Sequence, residues 1–209
     1  MAKDLPFSCD CGTVRGRLIG MSPKVGNHLE CYCYDCQAFA HFTGQADKVL
    51  DEQGGTQIVQ TTAGRLAVDQ GVDKLAVVQL GEGQLMRWYA SCCGTPVVNT
   101  MGKSWVNFNG VLVSPLQDAA DGTPKGDVLG PTRGRGFTKS AKGGEAAVGK
   151  MTGLPRMMRK VLGGILKGLV TGEAKRSPLF DPDTKQPVAA PKVLSTDERA
   201  KLQEKVLAL

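Results

Sequence analysis

The sequence predicts a mainly β protein: short, mostly antiparallel strands held by cysteine knuckles, with a C-terminal helical extension. Three observations predict it. Runs enriched in β-branched and aromatic residues recur between glycine turns over the first 115 residues. Seven cysteines fall in three tight clusters within that stretch. Beyond residue 150 the apolar residues switch to helical spacing.

Taken in order, residues 13–20 alternate Val14, Gly16 and Leu18 against Arg15, Arg17 and Ile19, the period of a half-buried strand. Further extended runs are 56–61, 74–80, 85–90, 96–100 and 105–113, with turns at Gly54-Gly55 and Gly81-Glu82-Gly83. A short helical turn is expected over 35–42. Residues 121–150 hold eight glycines and six Lys/Arg with no apolar period, which predicts a long mobile loop. From Leu154 to Leu169 apolar residues recur at helical spacing, with Arg156, Arg159, Lys160 and Lys167 largely elsewhere on the wheel: a basic amphipathic helix of about four turns. Ser195 and Glu198 predict a capping box opening a second helix. The organisation expected is a metal-binding β-domain over 1–118, a Gly-rich basic loop over 119–150, and a helical extension over 151–209 packed on the β-domain.

The formal net charge of +6 is unevenly placed. Residues 1–123 carry 9 Lys/Arg against 12 Asp/Glu, residues 124–176 carry 12 against 3, and residues 177–209 carry 5 of each. The middle block is therefore a candidate surface for nucleic acid, an anionic membrane or a protein partner. Aromatic side chains that stack bases are scarce there, with Phe137 and Phe180 the nearest. The plainer reading is a solvated basic face on a helix packed against the β-domain. No run of about 18 apolar residues occurs, and the start of the chain lacks a basic n-region and an apolar h-region, so a cytoplasmic location without a membrane span is expected. Gly102-Lys103-Ser104 ends like a P-loop, but Val97 stands where its first glycine belongs.

The cysteines are Cys9, Cys11, Cys31, Cys33, Cys36, Cys92 and Cys93. An odd count in tight clusters argues for reduced thiolates rather than a disulfide framework. A single cysteine is ordinarily a buried thiol, but six at ligand spacing point to zinc, whose tetrahedral site needs sulfurs only about 3.8 Å apart. One or two zinc ions per chain are expected. Cys92 and Cys93 are adjacent, so one of them is a candidate core or redox residue instead. A redox role for that pair and the triplet, without metal, is a further alternative. His28 and His41 flank the triplet and are candidates to complete its ligand set, and Asp35 is a candidate base.

Phe7-Ser8-Cys9-Asp10-Cys11-Gly12, then Glu30-Cys31-Tyr32-Cys33-Tyr34-Asp35-Cys36-Gln37-Ala38-Phe39, then Arg87-Trp88-Tyr89-Ala90-Ser91-Cys92-Cys93-Gly94-Thr95-Pro96 resemble the glutathione-dependent formaldehyde-activating enzymes and the related CENP-V proteins. The resemblance covers about residues 5–110 and is strongest to a bacterial branch of that superfamily. It implies a β-tent fold, a structural zinc on Cys9, Cys11 and Cys93, and a second zinc on Cys31, Cys33 and Cys36 with an open position for a thiol such as glutathione. An enzyme of this kind would be a carbon–sulfur lyase acting on a small thiol adduct, with the basic block binding the substrate's carboxylates. The alternative is a non-catalytic zinc-stabilised module. The chain departs from the pattern where the late motif's first cysteine falls on Ala90. Either Cys92 replaces that ligand, or the structural site is incomplete.

Overall fold

In the computed structural model, which describes residues 1–208, the first hairpin pairs β1 (Lys3–Ser8) with β2 (Arg15–Met21). Period-2 alternation buries Leu5 and Phe7 on one strand and Leu18 on the other. The chain continues through β3 (Asn27–Cys31), α1 (Tyr34–Phe42), the short α2 (Ala46–Val49), β4 (Thr56–Thr61), β5 (Leu66–Gln70) and β6 (Leu75–Gln79). Next come β7 (Met86–Ala90), β8 (Pro96–Thr100), β9 (Asn109–Leu112), α3 (Lys125–Leu129), β10 (Arg135–Gly136) and α4 (Gly144–Val148). The C-terminal part holds α5 (Leu154–Thr171), β11 (Lys192–Val193) and α6 (Thr196–Leu207).

Two sheets result. One has the order β1-β2-β5; the other has eight strands, β10-β3-β4-β9-β8-β7-β6-β11, antiparallel except where β10 and β11 add in parallel at its two edges. The main core joins both sheets, with Leu5, Phe7 and Leu18 meeting Val59, Val77, Trp88 and Val111. Alternate residues of the large sheet point the other way: Val78 packs with Ala38 and Phe39 of α1 and Leu202 of α6. Helices α1 and α6 thus cover this face, and α5 lies on the same side over other strands, where Met157 packs on Leu29 and Ile58.

The glycine-rich segment is where structure and sequence reading part. Residues 121–150 contain α3, β10 and α4, and their backbone closes the free edge of β3: Gly134 and Gly136 accept from the Glu30 and Tyr32 amides at 3.0 Å, and the Arg133 amide donates to His28 at 2.8 Å. Main-chain bonding needs no apolar period, so composition alone read this segment as a mobile loop. The C-terminal extension is likewise more than helical. Leu179 and Phe180 are buried in the main core, and β11 pairs with β6.

Helix α5 approaches the sheet through glycines. A Cβ on Gly168 would lie 2.3 Å from the Asn107 Cβ, and the Asn107 amide donates to the Gly164 carbonyl at 3.0 Å. Gly168→Val is therefore expected to cost about 1–3 kcal/mol by overpacking. Gly163→Ala, where a Cβ meets open space, should be neutral or stabilising by a few tenths up to about 1 kcal/mol. Urea denaturation of the two variants checks the pair; equal effects would mean that the close approach is not what holds the helix.

Candidate metal centres

The four sulfurs of Cys9, Cys11, Cys92 and Cys93 lie within 4.8 Å of one another. Cys9 and Cys11 leave the end of β1, and the other two sit in the turn between β7 and β8. The separations are 3.6 Å for Cys9 and Cys11, 3.8 Å for Cys9 and Cys92, 3.2 Å for Cys11 and Cys92, and 3.9 Å for Cys92 and Cys93. These are close to the sulfur spacing of a tetrahedral thiolate site, about 3.8 Å. The adjacent cysteines thus converge on one centre. Ala90, two residues before Cys92, is wholly buried in the main core.

Donors surround this cluster. The Val14 amide donates to Cys9 Sγ at 3.2 Å, and the hydroxyls of Thr13 and Thr95 lie 3.2 Å from Cys11 and Cys93. Hydrogen bonds from Thr13 pull the Cys11 thiol down to about 6. Burial pushes Cys92 up to about 12. In the absence of a cation the four thiols do not all ionise, which is the electrostatic demand a metal would meet.

The second cluster is Cys31, Cys33 and Cys36, also mutually within 4.8 Å. Cys31 ends β3; Cys33 is the N-cap of α1 and accepts from the Cys36 amide at 3.4 Å; Cys36 sits in the first turn of the helix, 3.7 Å from Cys31. The helix N-terminus offers its unpaired amides and positive dipole end to these sulfurs. Cys31 and Cys33, together with Arg87, hold Cys36 well below an ordinary thiol, while hydrogen bonding with Cys33 and Cys36, and burial, push Cys31 up.

Arg87 is the functional residue that sequence reading missed. It projects from β7 with its side chain 3% exposed, 3.8 Å from Cys36 Sγ, 3.4 Å from Asn99 Oδ1 and 5.7 Å from the centre of the Phe39 ring. Burial works against its charge, but the sulfurs of Cys36 and Cys33 raise its pKa. The cation meeting these thiolates thus comes from the β-domain rather than from residues 124–176. One buried arginine in a strand carries no motif; only the register of β7 against α1 reveals it.

Three further candidates move away from the roles the sequence offered. The His28 ring nitrogens are occupied by the Gly130 carbonyl at 2.9 Å and Gln57 at 3.3 Å, on the strand face opposite Cys31. His41 lies at the far end of α1 and joins neither cluster. Asp35 is paired with Arg87 at 3.8 Å and Arg199 at 3.4 Å, which fits an orienting role for the carboxylate rather than that of a base.

The triplet forms the buried end of a cavity of about 560 Å³ between α1, α5 and the large sheet. Leu29, Ile58, Phe108 and Met157 wall it, Arg87 and Asp35 are its charged lining residues, and the exposed Phe137, Met151 and Leu154 stand at its mouth. Among the described residues, no fourth His, Cys, Asp or Glu completes this cluster. Nor, among the described residues, is any helix long and apolar enough to cross a membrane.

A family of unknown function (DUF6151) matches residues 1–191. No curated protein matches the chain. The chain is similar to a Rhodobacter sphaeroides protein whose crystal structure was determined as a structural-genomics target, at 20% identity and a TM-score of 0.39, over 54% of this chain and 87% of that one.

Proposed function

We propose that this chain, which belongs to the DUF6151 family of unknown function, divides two zinc sites between structure and chemistry. The four-sulfur cluster is the structural site. The triplet is the reactive one, and the observation that carries this reading is three convergent sulfurs without a fourth protein ligand at the closed end of a cavity. All-thiolate donors favour zinc over harder ions. We read the two sheets as a β-tent of the formaldehyde-activating type, in keeping with the order of the cysteine motifs.

A zinc ion with three protein ligands supplies a Lewis-acid position at which a small thiol is held deprotonated. The protein's own groups do the rest. Arg87 offsets the charge of the thiolates, Asp35 orients Arg87, and the walls exclude water. The reaction proposed is carbon–sulfur bond making or breaking: the thiol sulfur adds to a carbonyl carbon, and its proton ends on the carbonyl oxygen, or the reverse. With Arg87 the one cation among the described residues that line the cavity, a small thiol with an apolar tail suits it better than glutathione with its two carboxylates.

Elemental analysis is expected to give two zinc per chain, falling to one in Cys36→Ala. Millimolar thiol should raise the melting temperature of the wild-type protein and leave Cys36→Ala unmoved. Two zinc with no thiol response in the wild-type protein would sink the reactive reading and leave the structural one.

A further inference from the structure

Helix α5 carries a wider apolar arc than the sheet covers. Its inward side uses Met157, Val161, Gly164 and Gly168, whereas Leu154, Met158, Leu162, Leu166, Leu169 and Val170 are exposed. Leu162 is 59% exposed, Leu166 65% and Val170 80%. At about 100° per residue these six side chains span a sector of roughly 160°, with Arg159 set into it near one edge, between Leu166 and Val170. A sector of large apolar side chains this long is rarely left bare to water.

Two neighbours of the stripe say what covers it. Along one side runs a cleft of about 250 Å³ that includes Arg65, Arg159, Lys160 and Lys167 in its lining. Lys160 also donates to the carbonyls of Lys24 and Val25, and Lys167 is paired with Glu173 at 2.9 Å, so both ammonium groups are fixed at the cleft. At the N-terminal end the stripe runs into the exposed Met151 and Phe137 at the cavity mouth. An apolar strip edged by clustered cations is complementary to an anionic bilayer, with acyl chains taking the leucines and lipid phosphates taking the cleft.

We propose that α5 is an interfacial membrane-docking helix: the protein rests on anionic lipid through Leu154, Met158, Leu162, Leu166, Leu169 and Val170, with Arg65, Arg159, Lys160 and Lys167 meeting the phosphates. Docked in this way, the three-cysteine cavity opens toward the lipid surface and receives apolar ligands from it. Apart from Leu154 at the cavity mouth, the docking surface uses residues outside both metal centres, so it stands or falls independently of the zinc chemistry.

The full chain is co-sedimented with phosphatidylcholine vesicles, alone or mixed with phosphatidylglycerol. Binding is expected to be about tenfold or more tighter to the mixed vesicles and to weaken as salt rises. Leu162→Glu/Leu166→Glu, at exposed positions that leave melting and metal content unchanged, should reduce it about tenfold or more; Arg159→Glu should abolish the preference for anionic lipid. The proposal is overturned if neither vesicle binds. It is equally overturned if the double variant binds as the wild type does, or if inorganic phosphate alone competes fully, which would make the cleft a site for free anion. A wild-type dimer that the double variant converts to monomer would also overturn it, by showing that a second copy covers the stripe.

Discussion

Cys9→Ala/Cys92→Ala is expected to lose one metal ion and several kcal/mol of stability, enough to leave the domain largely unfolded at moderate temperature. The reason lies in what the four sulfurs connect. Cys9 and Cys11 follow the first strand of the small sheet, whereas Cys92 and Cys93 sit in a hairpin turn of the large one, Cys92 lying 83 positions along the chain from Cys9. Closing a loop of that length restricts the unfolded chain by about 4 kcal/mol if the metal link is treated like a covalent cross-link. Thiolate coordination adds its own free energy. Against a total stability of about 5–15 kcal/mol the loss is a large fraction. Cys36→Ala makes the internal comparison, because Cys31 and Cys36 are five residues apart and the loop they close is short. Thermal unfolding with metal analysis checks both variants. Retention of two ions in the double variant, or a larger loss of stability in Cys36→Ala, would contradict the division between structural and reactive centres.

Trp88→Ala should produce the largest effect of any single core substitution, about 3–5 kcal/mol. Trp88 is wholly buried on the central strand β7, its ring 6.3 Å from Phe180 in an edge arrangement and its indole N–H donating to Thr100 at 2.9 Å. Truncation leaves a large cavity and an unpaired buried hydroxyl. At about 2–4 °C per kcal/mol for a chain of this size, melting falls by on the order of 10 °C. The measurement has a built-in control, because the second tryptophan, Trp105, is half exposed. Trp105→Phe should stay within about 0.5 kcal/mol of the wild type. Fluorescence of Trp88→Ala should report Trp105 alone, at a solvent-exposed wavelength from the outset.

The cysteine centres were legible in the sequence because chemistry confined them to short spacings, and the structure brings together all seven sulfurs named from those spacings. Strands 56–61 and 96–100 match the observed elements, as does the capping box at Ser195 and Glu198. Strands β1, β3 and β5 escaped notice. β3 carries His28, Glu30 and Cys31, and only its pairing with β4 and β10 makes an extended segment of it. The run over 105–113 shrinks to Asn109–Leu112, because Trp105 to Phe108 turn on themselves: the Val106 amide donates to Lys103, and that of Phe108 to Val106. The amphipathic period of α5 was visible, but its apolar arc suggested a buried face. Beside Met157 and Val161, glycines make the closest approach, and a glycine has no hydropathy to announce it. Arg87 and the cavity depend on elements brought together across the chain, which no local pattern encodes.

The strand carrying Arg87 also leads into the turn that holds Cys92 and Cys93. Along it the side chains alternate, so that Arg87 faces the triplet while Trp88 faces the core. One short segment therefore keeps time for both centres. A residue inserted between 87 and 92 would have to rotate either the arginine away from its thiolates or the cysteine pair away from its partners, since a one-residue slip reverses every side chain. Length variation in relatives should therefore gather in the loops outside it, and the interval from Arg87 to Cys92 should be as invariant as the cysteines themselves.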